Sequence, residues 1–434
     1  MENPLKELTK TACFSVTGSD PVVLKACMKY AQKENSYFIC EATVNQVNQF
    51  GGYTGMKPKD YVSMVCRFAD EIGFPREKLI LSGDHLGPFV WRNLPEQEAM
   101  ARSEELVRQY VAAGFRKIHL DPTMPLLGED PRQFGDRQIA ERAARLAKIS
   151  EETYEQTKND TIWNYRPVYV IGSEVPVPGG TEELESMQVT TPEALNQTLS
   201  CFQNAFLDHG LPQVWEDTLA IVAQIGLEFS EDHVYDFKDE AARPLANLLK
   251  TRPPFVFESH SSDYQTPECL QQMVNDGVGI LKVGPELTFA HREALFSLSI
   301  IERELAPAWG LVPSHFMEVL EQSMVQNPAD WEHYYHGNEG ELKLKRRYSY
   351  SDRARYYFAR PEVLEAKRQL LENLGKKPIP LYLISQYLPV QYEKIREGKL
   401  EASPEVMIED KIQSVMERYY QNMKIAVQNR DKGV

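Results

Sequence analysis

Short apolar runs rich in β-branched residues alternate along this chain with longer stretches whose apolar positions recur every three to four residues. The short runs predict strands at 13–17, 37–43, 79–85, 117–121, 169–174, 219–224, 255–260 and 280–283. The longer stretches predict helices at 21–33, 57–72, 98–113, 138–155, 192–207, 241–250, 267–276 and 289–305. Local signals agree with both sets. Pro21, Pro192 and Pro267 each follow a residue suited to capping a helix start, and Gly73, Gly114 and Gly277 stand at helix ends. Eight strand–helix units predict an α/β fold, a parallel sheet closed into a (β/α)8 TIM barrel. An open doubly wound sheet is the alternative, but no G-x-G-x-x-G follows an early strand. The barrel pattern spans residues 1–306; residues 307–434 carry amphipathic runs at 315–326, 361–374 and 404–427 and predict a mainly helical region packed on the barrel.

Composition narrows the function classes. A formal net charge of −15 over 434 residues disfavours nucleic acid or an anionic membrane as partner, while leaving room for a locally basic pocket. The six cysteines show no C-x-x-C spacing and read as reduced thiols. No apolar leader opens the chain and no run of about 18 apolar residues occurs. A cytoplasmic protein is expected.

The strand ends carry the chemistry. The run Leu79-Ile80-Leu81-Ser82-Gly83 stops on Asp84-His85, before Leu86-Gly87-Pro88. Side chains alternate along a strand, so His85 facing the barrel axis would bring Gly83 with it and leave Asp84 flanking the mouth. By the same rule Lys117, His119 and Asp121 share one face of the fourth strand, and Glu258 and His260 one face of the seventh. Glu41, Glu174, Gln224 and Lys282 stand late on the second, fifth, sixth and eighth strands. Charged groups are seldom buried without partners or a metal, so a ring of them at one barrel end predicts a site. Imidazoles with a carboxylate suit a divalent metal, zinc first, with manganese, cobalt or nickel as alternatives. His85 and His260 lead as ligands, followed by Glu174 and His119; His119 lies deeper and can instead stand behind the ligands. Asp84 is the candidate proton-transfer group. The amide-rich and glycine-rich loop after the second strand, with Asn45 and Gln46, is either a tight surface loop or a cradle for hydroxyls and phosphate. Ser261, Ser262 and Asp263 after the seventh strand, and Gly284 after the eighth, lie where barrels often hold phosphate. The Arg/Tyr-rich segment around Arg353 is either a second phosphate contact or a packing interface.

The loop Asn45-Gln46-Val47-Asn48-Gln49-Phe50-Gly51-Gly52-Tyr53-Thr54-Gly55, together with Gly83-Asp84-His85-Leu86-Gly87-Pro88, His260-Ser261-Ser262-Asp263-Tyr264-Gln265-Thr266, Leu281-Lys282-Val283-Gly284-Pro285 and Ile384-Ser385-Gln386-Tyr387-Leu388-Pro389, resembles one family nearly end to end. That family is the Z-type subunit of class II D-tagatose-1,6-bisphosphate aldolase, of galactitol and N-acetylgalactosamine catabolism. The resemblance implies a TIM barrel acting on sugar phosphates, in an oligomer with a smaller Y-type aldolase subunit whose activity and stability it supports. It also implies an alternative, a metal-dependent 4-epimerase interconverting fructose 6-phosphate and tagatose 6-phosphate. In either case Asp84, Glu174 and Lys282 are the expected catalytic groups. Glu41, Asn45, Gln46, Asp121, Gln224, Ser261, Ser262, Asp263, Gly284 and Arg353 are the expected substrate contacts.

Overall fold

The computed structural model describes residues 2–172 and 189–432. Eight parallel strands close into a barrel: β1 (Cys13–Thr17), β2 (Phe38–Thr43), β3 (Leu79–Leu86), β4 (Lys117–Leu120), β5 (Val168–Gly172), β6 (Thr218–Val222), β7 (Val256–Ser259) and β8 (Val278–Val283). Closure is made by β1 on β8, with Cys13 opposite Ile280 and Ser15 opposite Lys282. The helices on the wall are α1 (Pro21–Lys33), α2 (Pro58–Ile72), α3 (Glu96–Ala113), α4 (Asp136–Thr157), α5 (Pro192–Asp208), α6 (Asp239–Lys250), α7 (Pro267–Asn275) and α8 (Pro285–Trp309). Capping fixes several starts. Asp20 Oδ1 accepts from the backbone N–H of Val22 and Val23, and the Thr191 and Thr266 hydroxyls accept from Ala194 and Cys269. The expected end of the fifth strand, at Glu174, lies outside the described residues.

The period of two sorts the strand residues into two environments. Wall-facing positions such as Val16, Cys40, Leu81, Ile118, Ile171 and Phe257 join a large apolar core with the helices. The lumen is layered. Cys13, Ile39, Ile80, Val168, Val170 and Ile280 form a separate apolar plug, with Leu5 of the N-terminal turn packed into it. One pleat higher along their strands stand Ser15, Glu41, Ser82, Lys117 and Glu258, all buried. Apolar filling therefore gives way to charge on moving toward the strand C-termini.

Beyond α8 the chain is helical, with α9 (Phe316–Gln326), α10 (Glu339–Tyr348), α11 (Pro361–Gly375), two shorter helices, and α12 (Pro404–Lys432) at the end. This last helix packs along α7 and α1 and reaches β1, filling the wall position between them. In turn α8 packs on α12 and on α11. Phe316, Leu370, Met416 and Tyr419 belong to the same continuous core as the barrel helices. No helix among the described residues is long and apolar enough to cross a membrane.

Candidate active site

Two buried lysines organise the charged layers. Lys117 Nζ lies 2.7 Å from Glu41 Oε2 and 2.7 Å from Glu258 Oε2. Lys282 Nζ lies 3.1 Å from Glu41 Oε1 and contacts Asp84 Oδ2. Glu41 also accepts from the hydroxyls of Ser15, Thr17 and Ser82, which satisfies its remaining lone pairs. Burial would raise the Glu41 pKa, but Lys117 and Lys282 hold it below the usual value. Burial likewise opposes both ammonium groups, and the carboxylates around them outweigh it, so both lysines stay protonated.

Three histidine rings stand above this layer. The centroid separations are 5.3 Å for His85 and His119, 5.0 Å for His85 and His260, and 5.0 Å for His119 and His260. Each ring rests on a carboxylate: His85 Nδ1 on Asp121 Oδ2 at 2.7 Å, His119 Nδ1 on Asp84 Oδ1 at 2.8 Å, and His260 Nε2 on Glu258 Oε1 at 3.1 Å, while His85 Nε2 also lies 3.3 Å from Asp84 Oδ2. That arrangement sets tautomer and ring orientation in metal sites. The other nitrogens of His119 and His260, Nε2 and Nδ1, are buried with no hydrogen-bond partner among the described residues. Buried imidazole nitrogens rarely go unsatisfied. His85, His119, His260 and Asp84 can each offer one ligand atom with all four atoms within 4.8 Å of one another. Three imidazoles and a carboxylate fit a divalent transition metal. Burial and the Lys282 charge push His260 well below its usual pKa, so it is neutral and able to ligate. His119 belongs to this group as a full member, not only as a support lying deeper.

The backbone at His85 corrects the alternation expected for β3. Ser82 and Asp84, not Gly83 and His85, share the lumen face: Ser82 reaches Glu41 and Asp84 reaches Lys282. A Cβ on Gly83 would meet the Tyr110 ring of α3 at 2.7 Å, so Gly83 faces the wall. The pairing of β3 with β4 shifts register between Gly83 and Leu86, and His85 takes a φ of +50°. That left-handed residue turns its ring back over the lumen, so two consecutive side chains enter one site. Such a conformation is costly for a non-glycine residue.

A cavity of about 530 Å³ opens above the histidines. Asn45, Gln46, Asp84, His85, His260, Ser261, Asp263, Lys282 and Gly284 border it, as predicted residues that the fold does gather. Glu41 and Asp121 sit behind this border, Asp121 with its carboxylate on His85 and held below its ordinary pKa mainly by that bond against burial. Three expected contacts are corrected. Ser262 is fully buried and its hydroxyl donates to the Lys282 carbonyl at 2.6 Å. Gln224 Oε1 accepts from Gly226 N at 2.8 Å and does not border the cavity. Arg353 is buried, donates to the Asp330 carbonyl at 2.9 Å and stacks on Tyr334. Glu174 lies outside the described residues. The amide-rich loop largely serves itself, since Asn48 Oδ1 accepts from Phe50 N and Gly52 N, and Gly52 has a φ of +55° with Gln46 O 2.4 Å from where a Cβ would sit. Asp20 and Lys367, which sequence reasoning passed over, also border the cavity, as do Tyr53 of the amide-rich loop and Arg355 and Tyr356 of the Arg/Tyr-rich segment. Three of these come from the C-terminal region, which no strand pattern could assign to the barrel mouth.

A closed (β/α)8 barrel with histidines and carboxylates gathered at the strand C-termini, under a cavity, places residues that could hold a metal where such barrels carry their sites. More particularly, the chain belongs to the GatZ/KbaZ-like family: the family model described as D-tagatose-1,6-bisphosphate aldolase subunit GatZ/KbaZ-like matches residues 3–424. Among solved structures it is similar to a protein of Sinorhizobium meliloti described as a probable tagatose 6 phosphate kinase, at 39% identity and a TM-score of 0.86, covering 95% of this chain and 100% of that one. The YdjI aldolase of Escherichia coli K12 matches at 11% identity and a TM-score of 0.40, over 86% of this chain and 94% of that one. The fructuronate-tagaturonate epimerase UxaE of Cohnella laeviribosi matches at 11% and 0.48, over 95% and 81%. The last two are too distant to bear on function.

Proposed function

We propose that the chain is the Z-type subunit of a class II D-tagatose-1,6-bisphosphate aldolase, supporting the activity and stability of a Y-type catalytic subunit and itself binding a phosphorylated ketose. Membership of a family of aldolase subunits supports the assembly half of this reading. The site half rests on one observation, the three carboxylate-anchored imidazoles beside Asp84 and Lys282. His85, His119 and His260 would hold the metal, zinc or else manganese, cobalt or nickel, with Glu174 as a further candidate. When bound, the ion supplies Lewis acidity toward the ketose C2 carbonyl. C4 of a 2-ketose lies β to that carbonyl, so its hydrogen is not acidic, whereas the C3–C4 bond can break by retro-aldol cleavage. Asp84 accepts the C4 hydroxyl proton as that bond breaks and returns it when the bond re-forms. Burial opposes its charge, but His85 and Lys282 keep it well below the usual carboxylate range. Asp84 is therefore ionised, the form that can accept a proton. Lys282 offsets negative charge on the oxygen atoms.

A second reading, a self-sufficient ketose 4-epimerase, is favoured by the supply of Asp84, Lys282 and all three histidines from this one chain. Retro-aldol cleavage, rotation of the aldehyde fragment and re-addition would invert C4. The test is to purify the chain alone and assay tagatose 1,6-bisphosphate cleavage and fructose 6-phosphate epimerisation, with added metal and after chelation. The subunit reading expects little turnover alone and a co-expressed Y-type subunit made more active and more stable. Epimerase turnover alone, lost on chelation and in His85→Ala, would establish the second reading. No effect on the Y-type subunit would sink the first.

A further inference from the structure

Barrel enzymes commonly bind phosphate on the loops after the seventh and eighth strands and on the helix start that follows. Here that cradle is already filled by the protein's own carboxylate. Gly284 N and Glu286 N donate to Asp263 Oδ1 at 3.0 and 2.9 Å, and the Glu286 side chain is buried beside it. A phosphate arriving there would meet two carboxyl groups and no free backbone donor at those positions.

Among the described residues, three cationic side chains of lysine or arginine border the cavity: Lys282, Arg355 and Lys367. Lys282 is neutralised by Glu41 and Asp84. The other two come from the C-terminal region, and among the described residues their hydrogen-bond partners are all uncharged acceptors. Arg355 donates to the carbonyls of Ser351 and Asp352 and to the Tyr356 hydroxyl. Lys367 Nζ lies 3.1 Å from His291 Nε2. The carboxylate that acts on Lys367, Asp20, is separated from it by His291, whose Nδ1 lies 3.3 Å from Asp20 Oδ2. Burial lowers the pKa of both His291 and Lys367, so the imidazole is a neutral acceptor, and no carboxylate among the described residues contacts the ammonium directly. Two cations that make no ion pair among the described residues, on one cavity of a protein with net charge −15, call for an anionic ligand.

We infer that the phosphate of the ketose is held by Arg355 and Lys367, on the side of the cavity built by the C-terminal region, and not by the loops after β7 and β8. This rests on the reading of the cavity as a phosphorylated-ketose site. The test is titration calorimetry of the full chain with inorganic phosphate in the presence of EDTA, so that phosphate cannot sit on a metal, and with tagatose 1,6-bisphosphate in the presence of zinc. Arg355→Met and Lys367→Met are expected to weaken both affinities by about ten- to a hundredfold, the loss of one charge-assisted contact each. Arg355→Lys and Lys367→Arg should recover most of the binding, with thermal midpoints as in the wild type. If Lys367→Met does not fold, Arg355→Met read against Arg355→Lys carries the same comparison. Wild type that binds phosphate while both Met variants bind it equally well overturns this inference and leaves the proposed function standing. Wild type that binds neither phosphate nor the bisphosphate overturns both.

Discussion

His85 combines two properties that seldom meet in one residue: a ring in the cluster that could hold a metal and a left-handed backbone. The two can be separated by substitution. His85→Ala and His85→Gly both remove the imidazole and are expected to lose metal, measured by competition with a chelating dye. Only glycine relieves the positive φ, so His85→Gly should be the more stable of the two by about 1 kcal/mol in urea unfolding. Equal stabilities would mean that the positive φ is not retained in solution. A second expectation concerns Asp263, which burial and the Glu286 carboxylate push up to about 7. An acid whose pKa rises on folding holds its proton more tightly in the native state. Its contribution is then fully present below the unfolded value near 3.8 and is lost as pH rises through about 7. Asp263→Asn cannot ionise, so its stability should gain on the wild type from pH 4 to pH 7 and keep the gain at pH 8. A pH-independent difference in thermal midpoint would refute the elevated pKa.

Between elements, the decisive contact is the close approach of β3 and β4 just past Leu86. A Cβ on Gly87 would lie 1.9 Å from the Asp121 carbonyl oxygen, a backbone atom with nowhere to go. Gly87→Ala must therefore push the two strand ends apart, carrying Asp121 away from His85 Nδ1. Metal affinity is expected to fall by about 10–100-fold, the usual cost of losing a carboxylate behind a ligating histidine, although no ligand is touched. Unchanged zinc affinity in a folded Gly87→Ala variant would show that Asp121 does not orient His85. The elements themselves were largely legible beforehand: the strands begin and end within a few residues of their predicted bounds, because alternation and capping are local properties. The alternation rule held where strands are regular, as for Lys117, His119 and Asp121, and failed on β3, where a register shift and one left-handed residue break the period.

For the molecule as a whole, the last helix belongs to the barrel wall although it is last in sequence. It fills the space between α7 and α1, and Tyr419 reaches the Ser262 carbonyl while Gln413 Nε2 donates to the Ala26 carbonyl at 3.0 Å. Deleting residues 403–434 should expose the apolar faces of α1, α7 and α8 together. We expect a product that binds a hydrophobic dye and melts without a cooperative transition. A deletion variant that melts cooperatively and retains its zinc would show that the first 402 residues fold alone.

Local order in the sequence was enough for the barrel, the helical C-terminal region and the ring of charge at the strand ends, since periodicity, caps and buried polarity are written over a few neighbouring residues. It was not enough for the membership of the site. The inward turn of His85, the diversion of Ser262, Gln224 and Arg353 to structural bonds, and the arrival of Arg355 and Lys367 at the cavity depend on contacts between segments up to hundreds of residues apart. Which polar group faces a ligand and which satisfies a neighbour is settled by hydrogen-bond competition in the packed interior, and that competition exists only once the chain has closed.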